Sequence, residues 1–188
     1  MQRPAKAPTR ELTAARRFRL ARLCALPLLA LPAIFVPAAA QAQGQTVTMV
    51  NREGDTIGTV ELTALSAGLL LRVDVSGLPA NARLGFHVHE AADCDPTEAF
   101  EGAGGHFDPS GVEHGYLTET GPHAGDLPNL HTDGEGVARA DVFTPFLRFG
   151  PGAASTHGRA LMIHSGPDDY ESQPSGGAGD RLACAELP

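Results

Sequence analysis

Lysine is almost missing from this chain of 188 residues: its single lysine is Lys6. Basic charge of any kind is scarce beyond the opening stretch. Residues 1–42 hold seven of the 14 basic residues and one of the 22 acidic ones, which leaves residues 43–188 with 7 basic and 21 acidic side chains, a formal charge of −14. An acidic body without lysine excludes nucleic acid and anionic membranes as partners, because both require a basic surface. The body also has no internal repeat, no H-E-x-x-H pattern and no stretch that keeps a helical period over twelve residues. A metalloprotease helix and a helix bundle are therefore both ruled out. Glycine points the same way, at about 15% of the body against a usual share of ~7%. The glycine-rich pieces from Gly102 to Gly105 and from Gly176 to Gly179 do not stand between a strand and a helix, so tight loop packing explains them better than phosphate binding.

The first 42 residues differ in kind from the rest. Arg16, Arg17, Arg19 and Arg22 precede the apolar run LCALPLLALPAIFVPAAA, which ends in Ala40-Gln41-Ala42. A positive start, an apolar middle and a small-x-small end predict a cleaved secretory signal over 1–42, with the mature domain over 43–188. Pro27, Pro32 and Pro37 interrupt the run, and it is too short for a span that needs ~20 clean residues, so no membrane association is expected after cleavage. Cys24 leaves with the signal. The arginine pair hints at the twin-arginine export route.

The body of about 146 residues is one domain's worth of chain. Its segments 46–51, 57–65, 68–75, 82–90, 136–143, 159–164 and 181–187 read as short strands. In 68–75, for example, Leu71, Val73 and Val75 share one face while Arg72 and Asp74 take the other. Turn chemistry separates them, as in Asn51-Arg52-Glu53-Gly54-Asp55. The pattern predicts an all-β antiparallel sandwich or barrel. Three long interruptions, 90–135, 144–158 and 165–180, are where function is expected to lie.

The body carries all eight histidines and two of the three cysteines. His87 and His89 sit at i and i+2 of one strand, so both rings leave the same face with Cα atoms about 6.5 Å apart, close enough to converge on one ion. His106, His114, His123 and Asp126 follow in the first long loop. Three imidazoles and a carboxylate are the number and type for a closed tetrahedral zinc site. His164 ends another strand and completes a nitrogen set with His87 and His89 that suits Cu(II). An imidazolate has a lone pair on each ring nitrogen, so one histidine is able to serve both ions. His131 and His157 read as exposed surface residues. Cys94 and Cys184 most simply form a disulfide in an exported protein, with a free-thiol copper ligand as the competing reading.

The motifs GFHVHE, Asp93-Cys94, GAGGHFDPSG, His114-Gly115, GPHAGDLPNLH, LMIHSGPDDY and GGAGDRLAC together resemble the copper/zinc superoxide dismutases, in particular the bacterial exported type. The resemblance runs from about residue 46 to 187, with the motifs in the family's order. It implies an eight-stranded antiparallel Greek-key barrel, immunoglobulin-like in architecture, with long metal-binding and channel loops. It also implies the dismutation of superoxide to oxygen and hydrogen peroxide in the periplasm, with one copper and one zinc ion per subunit. His87, His89, His106 and His164 match the copper ligands. His106, His114, His123 and Asp126 match the zinc ligands, with His106 as the bridging imidazolate and proton carrier. Asp168 matches a carboxylate that holds one histidine of each site, Arg181 the guanidinium beside the open copper position, and Cys94 with Cys184 the family disulfide.

Two departures stand out. Ala185 replaces the family's usual glycine after the second cysteine, and the body lacks the lysines that many relatives place around the channel. A cupin fits poorly, since Glu90 directly follows His89 and the next is Glu98. The serious alternative is a non-enzymatic relative, either a copper or zinc carrier or a structural domain on the same fold, expected to lack a copper ligand or the arginine; both are present here. Monomer and homodimer are left equally open by the sequence.

Overall fold

A computed structural model describes residues 44–188; the expected signal over 1–42 lies outside them. Eight strands follow one another as β1 (Gly44–Asn51), β2 (Thr56–Leu65), β3 (Gly68–Val75), β4 (Arg83–His89), β5 (Asp126–His131), β6 (Ala138–Thr144), β7 (Ala160–His164) and β8 (Arg181–Glu186). All pairings are antiparallel, in the order β5-β4-β7-β8-β1-β2-β3-β6. The end strands β5 and β6 come together and nearly close the sheet. The β3–β4 and β6–β7 connections cross between its two ends, which is the Greek-key path. Among the described residues no helix is long and apolar enough to cross a membrane.

Alternation builds the core. Val60 and Leu62 of β2, Leu69, Leu71, Val73 and Val75 of β3, and Leu84, Phe86 and Val88 of β4 point inward and are buried. On the outer face of β2, β3 and β6 the same period places charge, and Arg72 pairs with Glu61 at 3.5 Å and Asp141 at 3.8 Å. β4 and β7 break this rule. Every residue of β7 is buried, as is β4 after Arg83, because the outer face that carries His87, His89 and His164 is roofed by the long loops.

β5 lies inside the first long interruption, 90–135, where the sequence pattern predicts no strand. The segment pairs with β4, with His87 opposite Asp126 and Leu84 opposite Leu130, while Pro128 faces solvent. Proline is tolerated there because β5 ends the sheet order and hydrogen-bonds a neighbour on one side only. His131 and His157 are exposed, as expected.

Two features hold the loops against the outer face. Cys94 and Cys184 form a disulfide with Cα atoms 5.6 Å apart. It sits in a second small apolar cluster with Phe100, Ala103, Ala160 and Met162, beneath the start of the first long loop. Gly85 is the other feature. A Cβ there would stand 2.7 Å from the Cβ of Ala178, and its N–H donates to the Gly166 carbonyl at 2.7 Å, so the 165–180 loop lies directly on β4.

Candidate metal centre

β4 delivers His87 and His89 to the roofed face, β7 delivers His164, and an isolated bridge between His89 and His106 brings the first long loop alongside. Donor atoms of His87, His89, His106 and His164 lie within 4.8 Å of one another, and so do those of His106, His114, His123 and Asp126. All seven residues are buried. These are the two sets expected from the sequence, and His106 belongs to both.

Hydrogen bonding decides which nitrogen each ring offers. The N–H of His89 Nδ1 donates to the Gly104 carbonyl at 2.9 Å and that of His164 Nδ1 to the Gly179 carbonyl at 3.2 Å. With those protons placed, the two Nε2 atoms face each other as lone pairs at 3.3 Å, a repulsive pair that a cation bound beside both would relieve. His87 Nε2 donates to Asp168 Oδ2 at 2.8 Å, which leaves its Nδ1 buried without a partner. A ring fixed through one nitrogen so that the other points inward is the arrangement metal-ligating histidines adopt.

The second set gathers around one carboxylate oxygen. Nδ1 of His106, His114 and His123 stand 2.9, 3.1 and 3.3 Å from Asp126 Oδ1. Four donors at bond lengths of ~2.0 Å around one zinc are separated by ~3.3 Å, so the set fits that ion. The other oxygen of Asp126 accepts the backbone N–H groups of Gly115 and His123, each at 2.9 Å. On the first set's side, Nε2 of His106 is buried and has no partner.

The field inside the site is steep. Burial lowers the pKa of His89 to about 2, His164 to about 3 and His106 to about 4, helped by repulsion between the neighbouring rings. Burial also pulls on His114, but hydrogen bonds to Asp126 and Asp168 outweigh it and raise His114 to about 9. Asp126 and Asp168 are held well below the usual carboxylate range. Burial opposes the drop, and hydrogen bonds from His106 and His114 to Asp126, and from His114 and His87 to Asp168, drive it.

Asp168 lies between the two sets, with Oδ2 on His87 Nε2 and Oδ1 on His114 Nε2 at 3.0 Å. Arg181, at the start of β8, donates to the carbonyls of Phe100 and Gly104, the latter at 2.7 Å from Nη2. Every site residue expected from the sequence is thus in this one region. Asn129 is the residue that reading missed. Its Oδ1 accepts the Asp168 N–H and its Nδ2 donates to the Asp168 carbonyl, both at 2.8 Å, so it pins the segment that carries the shared carboxylate. Its only signal was polarity beside a proline, which reads as a turn.

The comparisons with known proteins agree with this geometry. Residues 56–187 match the family model described as copper/zinc superoxide dismutase. A superoxide dismutase [Cu-Zn] of Aquifex aeolicus is 46% identical over 143 residues, 74% of this chain and 83% of that protein. The crystal structure of a superoxide-dismutase-like protein from Bacillus subtilis is similar with a TM-score of 0.71 at 35% identity, over 76% of this chain and 97% of that one. The Cu/Zn superoxide dismutase from Brucella abortus is similar with a TM-score of 0.65 at 32% identity, over 78% of this chain and all (100%) of that one.

Proposed function

The chain belongs to the copper/zinc superoxide dismutase family, and from that membership we propose how its residues share the work of dismutating superoxide. It is an oxidoreductase that acts on superoxide and uses copper and zinc. In the reading we favour, His87, His89, His106 and His164 hold copper, and His106, His114, His123 and Asp126 hold zinc. One observation carries it: His106 alone joins both donor sets, with Nδ1 turned to Asp126 and Nε2 buried on the opposite side. Bound copper supplies the one-electron redox chemistry, and zinc a fixed charge that holds the shared ring.

The remaining tasks fall to side chains. Two superoxide anions become oxygen and hydrogen peroxide only with two protons. His106 Nε2 is the atom placed to hold and pass on one of them, since Nδ1 faces the second donor set beside Asp126 and Nε2 is the buried nitrogen left without a protein partner. Asp168 keeps His87 and His114 in orientation from a single carboxylate. Arg181 meets the anionic substrate with its positive charge, anchored on two carbonyls. The body's charge of −14 opposes approach. Charges beyond ~8 Å are largely screened at physiological salt, so the nearby guanidinium prevails.

Export to the periplasm belongs to the same reading. The Cys94–Cys184 bond suits an oxidising compartment, and the leader-like segment 1–42 supplies the route. The test is metal content and superoxide removal measured on one purified sample, with and without a chelator. One copper and one zinc per chain, with activity lost on chelation, is the expected result. A protein that takes up a single equivalent of metal and leaves superoxide untouched would overturn the assignment.

A further inference from the structure

The 165–180 loop rests on the segment that carries His114, and one side chain joins the two. Gln173 Oε1 accepts the N–H of His114 at 2.9 Å, and Gln173 Nε2 donates to the His114 carbonyl at 2.9 Å. A single carboxamide thus satisfies both main-chain groups of one residue, as a neighbouring strand would. The second hydrogen of Nε2 goes to the Glu171 carbonyl at 2.9 Å, which sets the plane of the amide and decides which end is oxygen. Among the described residues no other group bonds the N–H or the carbonyl of His114.

The surroundings leave little slack. A Cβ on Gly115 would stand 1.9 Å from the Tyr170 carbonyl, so the two segments touch backbone to backbone, and Leu117 N–H donates to that carbonyl at 3.1 Å. Asp168 holds the tip of the His114 ring through Nε2. Gln173 holds its root. Together they aim Nδ1 of His114 at the space shared with His106, His123 and Asp126.

We propose that Gln173 is a positioning residue for the zinc half of the centre: by clamping the main chain of His114 it sets how long zinc stays bound. The proposal rests on the zinc assignment made above. Groups that orient a metal ligand change affinity by ~10–100-fold when removed. Gln173 is exposed, so water replaces part of what is lost and the effect falls at the lower end.

The experiment uses protein loaded with copper and zinc. Release of each metal into a chromogenic chelator is followed for wild type, Gln173→Ala and Gln173→Glu, beside thermal unfolding of the metal-free forms. Gln173→Ala should release zinc about tenfold faster, with copper release and metal-free melting unchanged. Gln173→Glu keeps the acceptor for the His114 N–H but turns a second carboxylate oxygen towards the His114 and Glu171 carbonyls, and should release zinc at least as fast as Gln173→Ala. Unchanged zinc release in Gln173→Ala overturns the proposal. So does a variant in which zinc release, copper release and metal-free stability all worsen together, because that is the mark of a general loop contact. Wild-type protein that binds no zinc overturns the site assignment itself, and shows this before any variant is measured.

Discussion

His89 and Arg181 meet on one atom. The Gly104 carbonyl accepts His89 Nδ1 at 2.9 Å and Arg181 Nη2 at 2.7 Å, so the group that orients a metal donor also anchors the guanidinium. The guanidinium proposed to meet the substrate is thereby registered to the ring beside it, although the two residues lie 92 positions apart in sequence.

Arg181→Ala should slow superoxide removal by roughly tenfold or more, within the range of electrostatic steering effects, while copper and zinc content stay at the wild-type level. His89 keeps its own bond to Gly104, so the metal donors are not released. Turnover by pulse radiolysis and metal analysis on the same sample check this. An unchanged rate with both metals bound would show that Arg181 does not guide the anion.

Glu101 Oε2 stands 3.9 Å from Arg181 Nη2 and opposes its charge; the glutamate side chain is 73% exposed, so the pair is weak as a stabilising contact. Its effect on an approaching anion is the more visible one. Glu101→Gln should raise the rate by about twofold at low ionic strength, with the gain shrinking as salt screens the site. A slower variant, or a gain independent of salt, would count against this account of the local field.

The metal-free protein should lose stability as pH falls from about 6.5 to about 4.5. Three buried histidines set this window, because His89, His164 and His106 are lowered to about 2, 3 and 4 in the fold. Below the unfolded pKa of ~6.5 the unfolded chain binds protons that the folded one refuses, which costs about 1.4 kcal/mol per pH unit for each group. His114, raised to about 9, acts in the opposite sense, but its contribution is already complete below ~6.5 and is lost only as pH rises towards 9. Asp126 and Asp168 are lowered and keep their contribution until pH falls below ~4. Calorimetric melting from pH 7 to 4.5 reads the slope, and a flat profile would contradict the burial argument.

Cys184→Ser should lower stability by roughly 4–5 kcal/mol, the chain-entropy value for closing a loop with a separation of 90 residues. For a domain of this size that corresponds to a fall of roughly 9–18 °C in melting temperature. The carbonyls of Phe100 and Gly104 that hold Arg181 lie on the tethered loop, so activity should drop further than metal content does. Equal melting of the variant and the wild type would show that the apolar cluster around Phe100 and Met162 anchors the loop unaided.

Side-chain chemistry and strand alternation were legible in the sequence. The spacing of His87 and His89 placed two rings on one face because a strand has a period of two, and the donor types named the kinds of metal. Seven of the eight strands followed from the same period. β5 escaped because proline next to asparagine is turn chemistry wherever the neighbours are unknown, and only the sheet order shows that Pro128 sits on an end strand. The folded chain alone decided how Asn129 pins Asp168 and how Gln173 pins His114. Those contacts join a side chain to the backbone of a residue 39 or 59 positions away. No local periodicity encodes such a distance; it exists only once the loops lie on the outer face of β4 and β7.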